Sequence, residues 1–285
     1  MRVLITGAGG QLGIDLVAAC TAGGDDVHSF DREALDVCAR DDVLAAVTSV
    51  RPDVVVNCAA WTAVDLCESD PDRALAANGT AVRWLAEASA RVGAHLVQVS
   101  TDYVFDGTLD RPYHEWDDTD PRSVYGLTKL VGETEALVLG ASATVVRTSW
   151  VCGVNGANMV KTIMRLASQQ PELSFVDDQV GHPTFTHDLA PLVRRLALDR
   201  LSGVVHATNQ GACSWFDFAG EVVKAMGRDA AMVRPIATAD LQPARPAPRP
   251  ANSVLDNAVL RMAGYPMLRD YREPLAETVT TLLAG

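Results

Sequence analysis

Three residues in the middle of the chain have the types and spacing needed to move a proton. Tyr125 and Lys129 form a Tyr-x-x-x-Lys pattern that opens an apolar-periodic stretch. Residues four apart on a helix share a face, so the phenol and the ammonium converge. A nearby positive charge favours the phenolate, so Lys129 is expected to lower the pKa of Tyr125. Thr101 follows a buried apolar run, and its hydroxyl can share the oxygen of a substrate carbonyl or alcohol. This set predicts proton transfer coupled to hydride transfer, which requires a hydride carrier.

A glycine-rich turn near the start of the chain is suited to binding that carrier. Gly7, Gly10 and Gly13 follow the apolar run at residues 2–6 and precede a helical pattern. Glycines permit a tight turn and let the backbone approach a pyrophosphate, which the following helix N-terminus stabilises. The G-x-x-G-x-x-G spacing favours the short-chain dehydrogenase variant of the dinucleotide fold. The alternative is an ordinary glycine-rich turn in a flavodoxin-like protein.

Acidic and basic residues after the second predicted strand bear on the choice of coenzyme. Asp31 lies about 20 residues beyond the glycine turn, where an acid can bind the adenosine ribose 2′-hydroxyl of NADH. Arg32 beside it can instead hold the 2′-phosphate of NADPH, so either coenzyme fits the sequence. Asp36 and Val37 follow at a position suited to the adenine edge.

The elements that must position these residues alternate between strand and helix. Residues 54–56 are a β-branched run typical of a strand buried on both faces, and mostly small residues follow it, where a cofactor backbone can pass close. These following residues are Cys58, Ala59, Ala60, Trp61 and Thr62. Residues 71–92 are predicted to be helical, and residues 94–99 and 143–147 to be strands. The pattern predicts an α/β fold with a doubly wound, parallel, Rossmann-type sheet and sites at the carboxyl ends of its strands.

The character of the sequence changes after about residue 150. We expect residues 1–150 to form the dinucleotide-binding domain and residues 151–285 a smaller, mostly helical substrate domain, with later segments returning to the first. Trp150 is either a core residue or a flat platform for a sugar. In the proline-rich run 243–250, Arg245 or Arg249 can grip a diphosphate bidentately, the alternative being a solvated surface arginine.

Composition narrows the function further. The chain has 285 residues and a formal net charge of −12, which argues against nucleic acid or an anionic membrane as the main partner. Its six cysteines have no metal-type spacing and fit reduced thiols in the cytoplasm. No apolar run is long enough to span a membrane. We expect a cytoplasmic enzyme, and no metal site can be assigned.

Seven segments in order resemble the extended short-chain dehydrogenase/reductase family, and the resemblance covers nearly the whole chain. They are TGAGGQLG at 6–13, RPDVVVNCAAWTAVD at 51–65, STDYVFDG at 100–107, YGLTKLVGE at 125–133, RTSW at 147–150, DDQVGHPT at 177–184 and RPANSVL at 249–255. The resemblance implies an NADPH- or NADH-dependent reductase acting on the C4 keto group of a dTDP-sugar, dTDP-4-dehydro-L-rhamnose, and suggests testing for a homodimer. Some relatives are linked to Mg²⁺, but no acid cluster here marks its site.

The resemblance also implies roles for individual residues. Thr101, Tyr125 and Lys129 take the catalytic roles, and Thr101, Asp102 and Trp150 contact the substrate. Cofactor contacts are implied for Gly10, Gln11, Leu12, Asp36, Val37, Ala60, Trp61 and Thr62, in addition to Gly7, Gly13, Asp31, Arg32, Ala59, Tyr125 and Lys129.

Other functions share this framework. Nucleotide-sugar 4,6-dehydratases carry Asp-Glu after the threonine, whereas this chain has Asp102-Tyr103 and so lacks the elimination base. A reductase of a related deoxysugar nucleotide or a 4-epimerase remains an alternative. A non-catalytic regulatory subunit of the methionine adenosyltransferase type is a third.

Overall fold

The computed structural model describes residues 1–139 and 142–284, and its main layer is a parallel sheet. The strands are β1 (Arg2–Thr6), β2 (Asp26–Phe30), β3 (Val54–Asn57), β4 (His95–Thr101), β5 (Ala143–Thr148), β6 (Val151–Cys152), β7 (Leu173–Val176), β8 (Val180–Gly181), β9 (Thr184–Phe185), β10 (Gly203–His206), β11 (Cys213–Ser214) and β12 (Val233–Ile236). Six of them form the main sheet in the order β10-β5-β4-β3-β1-β2, with every neighbouring pair parallel.

Helices connect and cover these strands. They are α1 (Gln11–Ala22), α2 (Arg40–Val50), α3 (Val64–Ser69), α4 (Pro71–Leu75), α5 (Ala81–Val92), α6 (Val124–Leu139), α7 (Met159–Gln169), α8 (Thr186–Asp199), α9 (Trp215–Ala225), α10 (Ala258–Met262) and α11 (Arg272–Ala284). A π-helical segment, Ala76–Thr80, joins α4 to α5, so residues 71–92 are helical throughout, as predicted. No helix in the described part of the chain is long and apolar enough to cross a membrane.

The two faces of the main sheet are covered by different helices. Val3 and Ile5 of β1 pack with α1 and α8 on one face, whereas Leu4 packs with α2 and α5 on the other. This alternation follows from side chains that point to opposite faces along a strand. Because both faces are covered, the valines of β3 are at most 1% exposed. The predicted doubly wound α/β fold is confirmed.

The carboxyl ends of the parallel strands meet at one edge of the sheet. The glycine turn follows β1, Asp31 follows β2, Cys58 follows β3, and Thr101 ends β4. This edge therefore brings together segments that are far apart in the sequence, as expected for a doubly wound sheet.

Residues after 150 form a second apolar cluster in which α7, α9 and α11 pack around β7 and β12. The short strands pair as β7 with β12, β8 with β11, and β6 with β9. Three later segments lie with the main sheet instead: β10 pairs with β5, α8 packs on α1, and α10 contributes Leu260 to the same apolar cluster. The domain boundary at residue 150 stays a prediction.

Candidate active site

The glycine turn forms a cradle that side chains would fill. Gly7 has φ +66°, a conformation that favours glycine, and a Cβ there would lie 2.5 Å from the Ala59 backbone nitrogen. A Cβ on Gly13 would collide with the Gly7 carbonyl oxygen. Gly10 caps α1, which begins at Gln11 with its first amides free of a side-chain cap. The cradle fits a pyrophosphate, because bare backbone and a helix N-terminus meet there.

A cleft of about 590 Å³ extends from this turn along the carboxyl edge of the sheet. Its lining includes these predicted cofactor residues: Gly7, Gly10, Asp31, Arg32, Asp36, Val37, Ala59, Ala60 and Trp61. Residues outside that prediction also line it: Gly9, Glu33, Leu35, Cys38, Cys58, Arg73, Ala76 and Ala77. The predicted contacts that do not line it are Gln11, Leu12, Gly13, Thr62, Tyr125 and Lys129.

The side chains of Gln11 and Leu12 contact other parts of the protein. The Gln11 side-chain oxygen accepts a hydrogen bond from Asn158 Nδ2 at 3.1 Å. Leu12 belongs to the apolar core beneath the main sheet. The Leu12 side chain is therefore not free to contact a cofactor, and the Gln11 side-chain oxygen already has a partner in this arrangement.

The two acids predicted to contact adenosine are folded into their own turns. Asp31 Oδ1 accepts hydrogen bonds from the backbone nitrogens of Glu33, at 3.0 Å, and Ala34, at 2.9 Å. Asp36 Oδ1 accepts one from the Cys38 backbone nitrogen at 3.0 Å. Both acids are exposed, so each retains an oxygen that a ligand can reach.

Asn78 holds the loop that follows β3. Its side-chain oxygen accepts a hydrogen bond from the Trp61 backbone nitrogen at 2.8 Å, and its Nδ2 donates to the Trp61 carbonyl oxygen at 3.1 Å. The same Nδ2 lies 3.3 Å from Thr128 Oγ1 on α6. Asn78 is 1% exposed and lies in the π-helical segment, a geometry common at functional sites. Sequence reasoning missed it, because nothing in a helical pattern marks a π segment.

The three predicted catalytic residues converge at the end of β4. Thr101 ends that strand, and Tyr125 and Lys129 lie one turn apart near the start of α6, all buried. Lys129 Nζ donates a hydrogen bond to the Val99 carbonyl oxygen at 2.6 Å. A Cβ on Gly126 would collide with the Tyr103 carbonyl oxygen, so this glycine lets α6 approach the chain after β4.

Burial has the largest effect on the pKa values of Tyr125 and Lys129. It raises the pKa of Tyr125 above its ordinary value, and a hydrogen bond with the Thr101 hydroxyl opposes that effect. Burial lowers the pKa of Lys129 to about 8, against the raising effect of Glu133. The expectation that Lys129 brings the pKa of Tyr125 down is therefore wrong for this arrangement. The ammonium is directed to a backbone oxygen, and the phenol stays protonated.

Asp102 is a buried carboxylic acid next to Thr101. Its Oδ1 accepts a hydrogen bond from Thr101 Oγ1 at 2.9 Å, and its Oδ2 has no partner among the described residues. Burial raises the pKa of Asp102 to about 6, opposed by the hydroxyls of Ser253 and Thr101. The Asp102 residue is 2% exposed, and its unpartnered Oδ2 is a buried polar atom of the kind that needs an explanation, of which contact with a ligand hydroxyl is one.

A buried ion pair fixes α6 to the sheet behind the site. Glu133, one turn after Lys129, accepts hydrogen bonds from Ser100 Oγ at 2.5 Å and from Arg147 of β5, the shortest at 2.8 Å. The side chains of Glu133 and Arg147 are 3% and 5% exposed. Helix α6 is thereby tied to both β4 and β5.

Trp150 has one indole face covered. Its ring stacks on Trp215 with centroids 3.6 Å apart and planes 8° apart. Its φ of +45° is unusual for a residue other than glycine, and a Cβ on Gly181 would lie 2.7 Å from the indole. Stacking against a sugar is thus limited to the indole surface that Trp215 and Gly181 leave free.

Arg249 is already paired. Its guanidinium donates to both carboxylate oxygens of Asp65, at 2.5 and 2.7 Å, and it holds the pKa of Asp65 below its ordinary value. The structure does not leave this arginine free to grip a diphosphate, so that role stays a prediction. Among the described residues, no group of three or more His, Cys, Asp or Glu side chains is arranged to hold a metal ion.

Comparisons with known proteins show which family and which relatives this chain resembles. A family model described as the RmlD substrate binding domain matches residues 1–284. A dTDP-4-dehydrorhamnose reductase of Streptomyces griseus is 45% identical, over 99% of this chain and 94% of its own length. A probable dTDP-4,6-dihydroxy-2-methyloxan-3-one 4-ketoreductase of Streptomyces antibioticus is 43% identical, over 100% of this chain and 97% of its own length.

Solved structures agree with these relatives. The crystal structure of dTDP-4-dehydrorhamnose reductase from Bacillus anthracis, in complex with NADP, superposes with a TM-score of 0.94 at 36% identity. The match covers 98% of this chain and 99% of that one. The resemblance inferred from the seven sequence segments is confirmed.

Proposed function

We propose a function from the premise that this chain belongs to the RmlD substrate binding domain family. The chain is an NADPH- or NADH-dependent oxidoreductase that reduces the C4 keto group of dTDP-4-dehydro-L-rhamnose to give dTDP-L-rhamnose. The observation that carries the proposal is the convergence of Thr101, Tyr125 and Lys129 at the sheet edge that also bears the glycine cleft. The 45% identical Streptomyces griseus relative, which bears the name of such a reductase, supports it.

The residues of the cleft fit a nicotinamide dinucleotide. The backbone of the glycine turn and the first turn of α1 would hold the pyrophosphate, and Asp31, Arg32, Asp36 and Val37 would surround the adenosine. The loop from Ala59 to Thr62, held by Asn78, would contact the adjoining ribose and phosphate. When bound, the reduced nicotinamide supplies the hydride for the keto carbon.

The catalytic side chains then divide the remaining work. Tyr125 donates its phenolic proton to the oxygen that becomes the C4 hydroxyl, and its raised pKa keeps that proton in place until negative charge develops there. Thr101 hydrogen-bonds the same oxygen. Lys129 holds ribose hydroxyls with its ammonium, which is charged at pH values below about 8.

We propose that Asp102, after β4, and Trp150, after β5, contact the substrate at the same carboxyl edge of the sheet. Asp102 accepts a sugar hydroxyl at its free carboxyl oxygen, and Trp150 presents its uncovered indole surface to the pyranose. Arg249 reaches a diphosphate only if the ion pair with Asp65 opens or the phosphate joins that pair.

The test is a turnover assay with enzymatically generated dTDP-4-dehydro-L-rhamnose. We expect oxidation of NADPH or NADH, followed by absorbance, to match dTDP-L-rhamnose formed mole for mole. Product formed without net coenzyme oxidation would point to an epimerase. A protein that binds coenzyme but reduces nothing would favour a regulatory role.

A second candidate is 4-keto reduction of another dTDP-deoxysugar. The 43% identical Streptomyces antibioticus relative, named as a probable ketoreductase of a different sugar, favours keeping it. Comparing kcat/KM for several dTDP-4-keto-6-deoxysugars in one assay separates the two candidates, because the true substrate gives the highest ratio.

Two further expectations are carried as proposals. A cytoplasmic location is tested by fractionation of the producing cells. A homodimer is tested by light scattering of the purified chain, in which a molar mass of one chain would refute it.

A further inference from the structure

Two arginines that form no ion pair among the described residues line the cleft that begins at the glycine turn. Arg32 lies after β2, and Arg73 lies in the first turn of α4, and both line the cleft. Within residues 1–139 and 142–284, neither side chain forms an ion pair, although most other arginines do. An unpaired arginine that lines a cleft is available to an anionic ligand.

Trp61 holds the Arg73 guanidinium in place. The guanidinium carbon lies 4.4 Å from the indole centroid, within the range of a cation–π contact. Asp70 caps the same turn by accepting a hydrogen bond from the Arg73 backbone nitrogen at 3.2 Å. A guanidinium stacked on a ring keeps its N–H donors in its own plane, where they can still bind a phosphate bidentately.

The acids of the cleft do not neutralise these arginines. Asp31 and Asp36 each turn a carboxylate oxygen towards backbone N–H groups, and the carboxylate of Glu33 is paired with neither guanidinium in the described residues. Cys38 lies within electrostatic range of both arginines. Burial and Asp36 raise the pKa of its thiol, whereas Arg32 and Arg73 oppose that rise. Arg32, Cys38 and Arg73 all line the same cleft.

We propose that Arg73, together with Arg32, binds the 2′-phosphate of the coenzyme and makes this chain prefer NADPH to NADH. The proposal rests on the proposed function and assigns Arg73 as a coenzyme-specificity residue. Two guanidiniums from separate elements suit a dianionic phosphate better than a neutral 2′-hydroxyl, because the phosphate carries opposite charge and has enough acceptor oxygens for bidentate hydrogen bonds from both.

Coenzyme titration of the purified chain tests this. Dissociation constants for NADPH, NADH and the fragments 2′,5′-ADP and 5′-AMP are measured for wild type, Arg73→Met and Arg73→Lys. Methionine keeps a flexible apolar chain over Trp61 and removes only the charge and the donors. Arg165→Met, at an exposed arginine on α7 away from the cleft, is the matched control.

We expect Arg73→Met to weaken NADPH and 2′,5′-ADP at least about tenfold and to leave NADH and 5′-AMP within about twofold, with Arg73→Lys between. Equal weakening of NADPH and NADH would overturn the inference, because Arg73 would then only support Trp61. An unchanged affinity for all four ligands would overturn it too.

The same titration separates this inference from the proposed function. A wild-type chain that binds NADPH more tightly than NADH, through Arg73, but reduces no dTDP-sugar would refute the proposed function and support the coenzyme site. A wild-type chain that binds neither dinucleotide would refute both.

Discussion

Replacement of Glu133 by glutamine tests how α6 is held at the active site. The variant leaves the Arg147 guanidinium buried at 5% exposure without its carboxylate partner and weakens the hydrogen bond from Ser100. Removing one partner of a buried ion pair costs about 3–5 kcal/mol, because the remaining charge is uncompensated. We expect Glu133→Gln to lower the free energy of unfolding by an amount in that range.

Urea unfolding followed by circular dichroism measures the loss. The matched control is Glu135→Gln, two residues later on α6, whose carboxylate faces Arg83 at 3.5 Å with side chains 24% and 52% exposed. An exposed pair of this kind contributes less than about 1 kcal/mol. The double variant Glu133→Met/Arg147→Met removes both charges and is expected to recover part of the stability.

The reasoning is refuted if Glu133→Gln loses no more stability than Glu135→Gln. It is also refuted if the double variant is less stable than Glu133→Gln, since the cost would then not come from an uncompensated guanidinium. A change in the denaturant slope as well as the midpoint would show that the variant alters the compactness of the native or denatured state or departs from two-state unfolding.

Three further predictions concern the catalytic group and the cradle. Tyr125→Phe should lower kcat at least about 100-fold, because the proton donor is gone. The coenzyme Kd should stay within about twofold, because the ring still packs. Turnover within a few-fold of wild type would contradict the assigned role. Coenzyme affinity of the wild type should fall as the pH rises through about 8, since burial lowers the pKa of Lys129 and its charge is present below that pH and lost above it. Lys129→Met should bind more weakly and show no such pH dependence in fluorescence titration, and a wild-type Kd that is constant across this range would count against it. Gly13→Ala should weaken coenzyme binding, because its Cβ would collide with the Gly7 carbonyl oxygen, whereas Gly220→Ala, with nothing within 4 Å, should not; equal affinities in the two variants would exclude the steric argument.

Much of the site was predictable because its rules are local. A Tyr-x-x-x-Lys pattern on a helix brings two side chains together whatever the rest of the chain does. The glycine turn and Thr101 follow buried strands, and strand ends of a parallel sheet share one edge. These positions depend on spacing and strand order, both of which periodicity reveals.

The rest depends on tertiary pairs that no local pattern contains. Arg249 forms an ion pair with Asp65, which lies 184 positions away in the sequence. The sequence therefore could not show that the Arg249 guanidinium already has a partner. The stack of Trp150 on Trp215 joins residues that are 65 positions apart. The raised pKa of Tyr125 reflects how completely its surroundings exclude water, which only packing determines.

The position of β10 has a consequence for how the chain reaches its native state. The edge strand β10, at Gly203–His206, pairs with β5, and the segments β6 to β9 lie between these two strands in the sequence. Parallel pairing of such distant segments must overcome a large loop-closure entropy, which slows folding. Until β10 docks, β5 is an unprotected sheet edge that can recruit strands of other chains. A fragment that ends near residue 150 lacks β10, so its β5 edge stays exposed and the fragment should aggregate. During synthesis, the chain exposes the same edge until β10 has been made and has paired with β5.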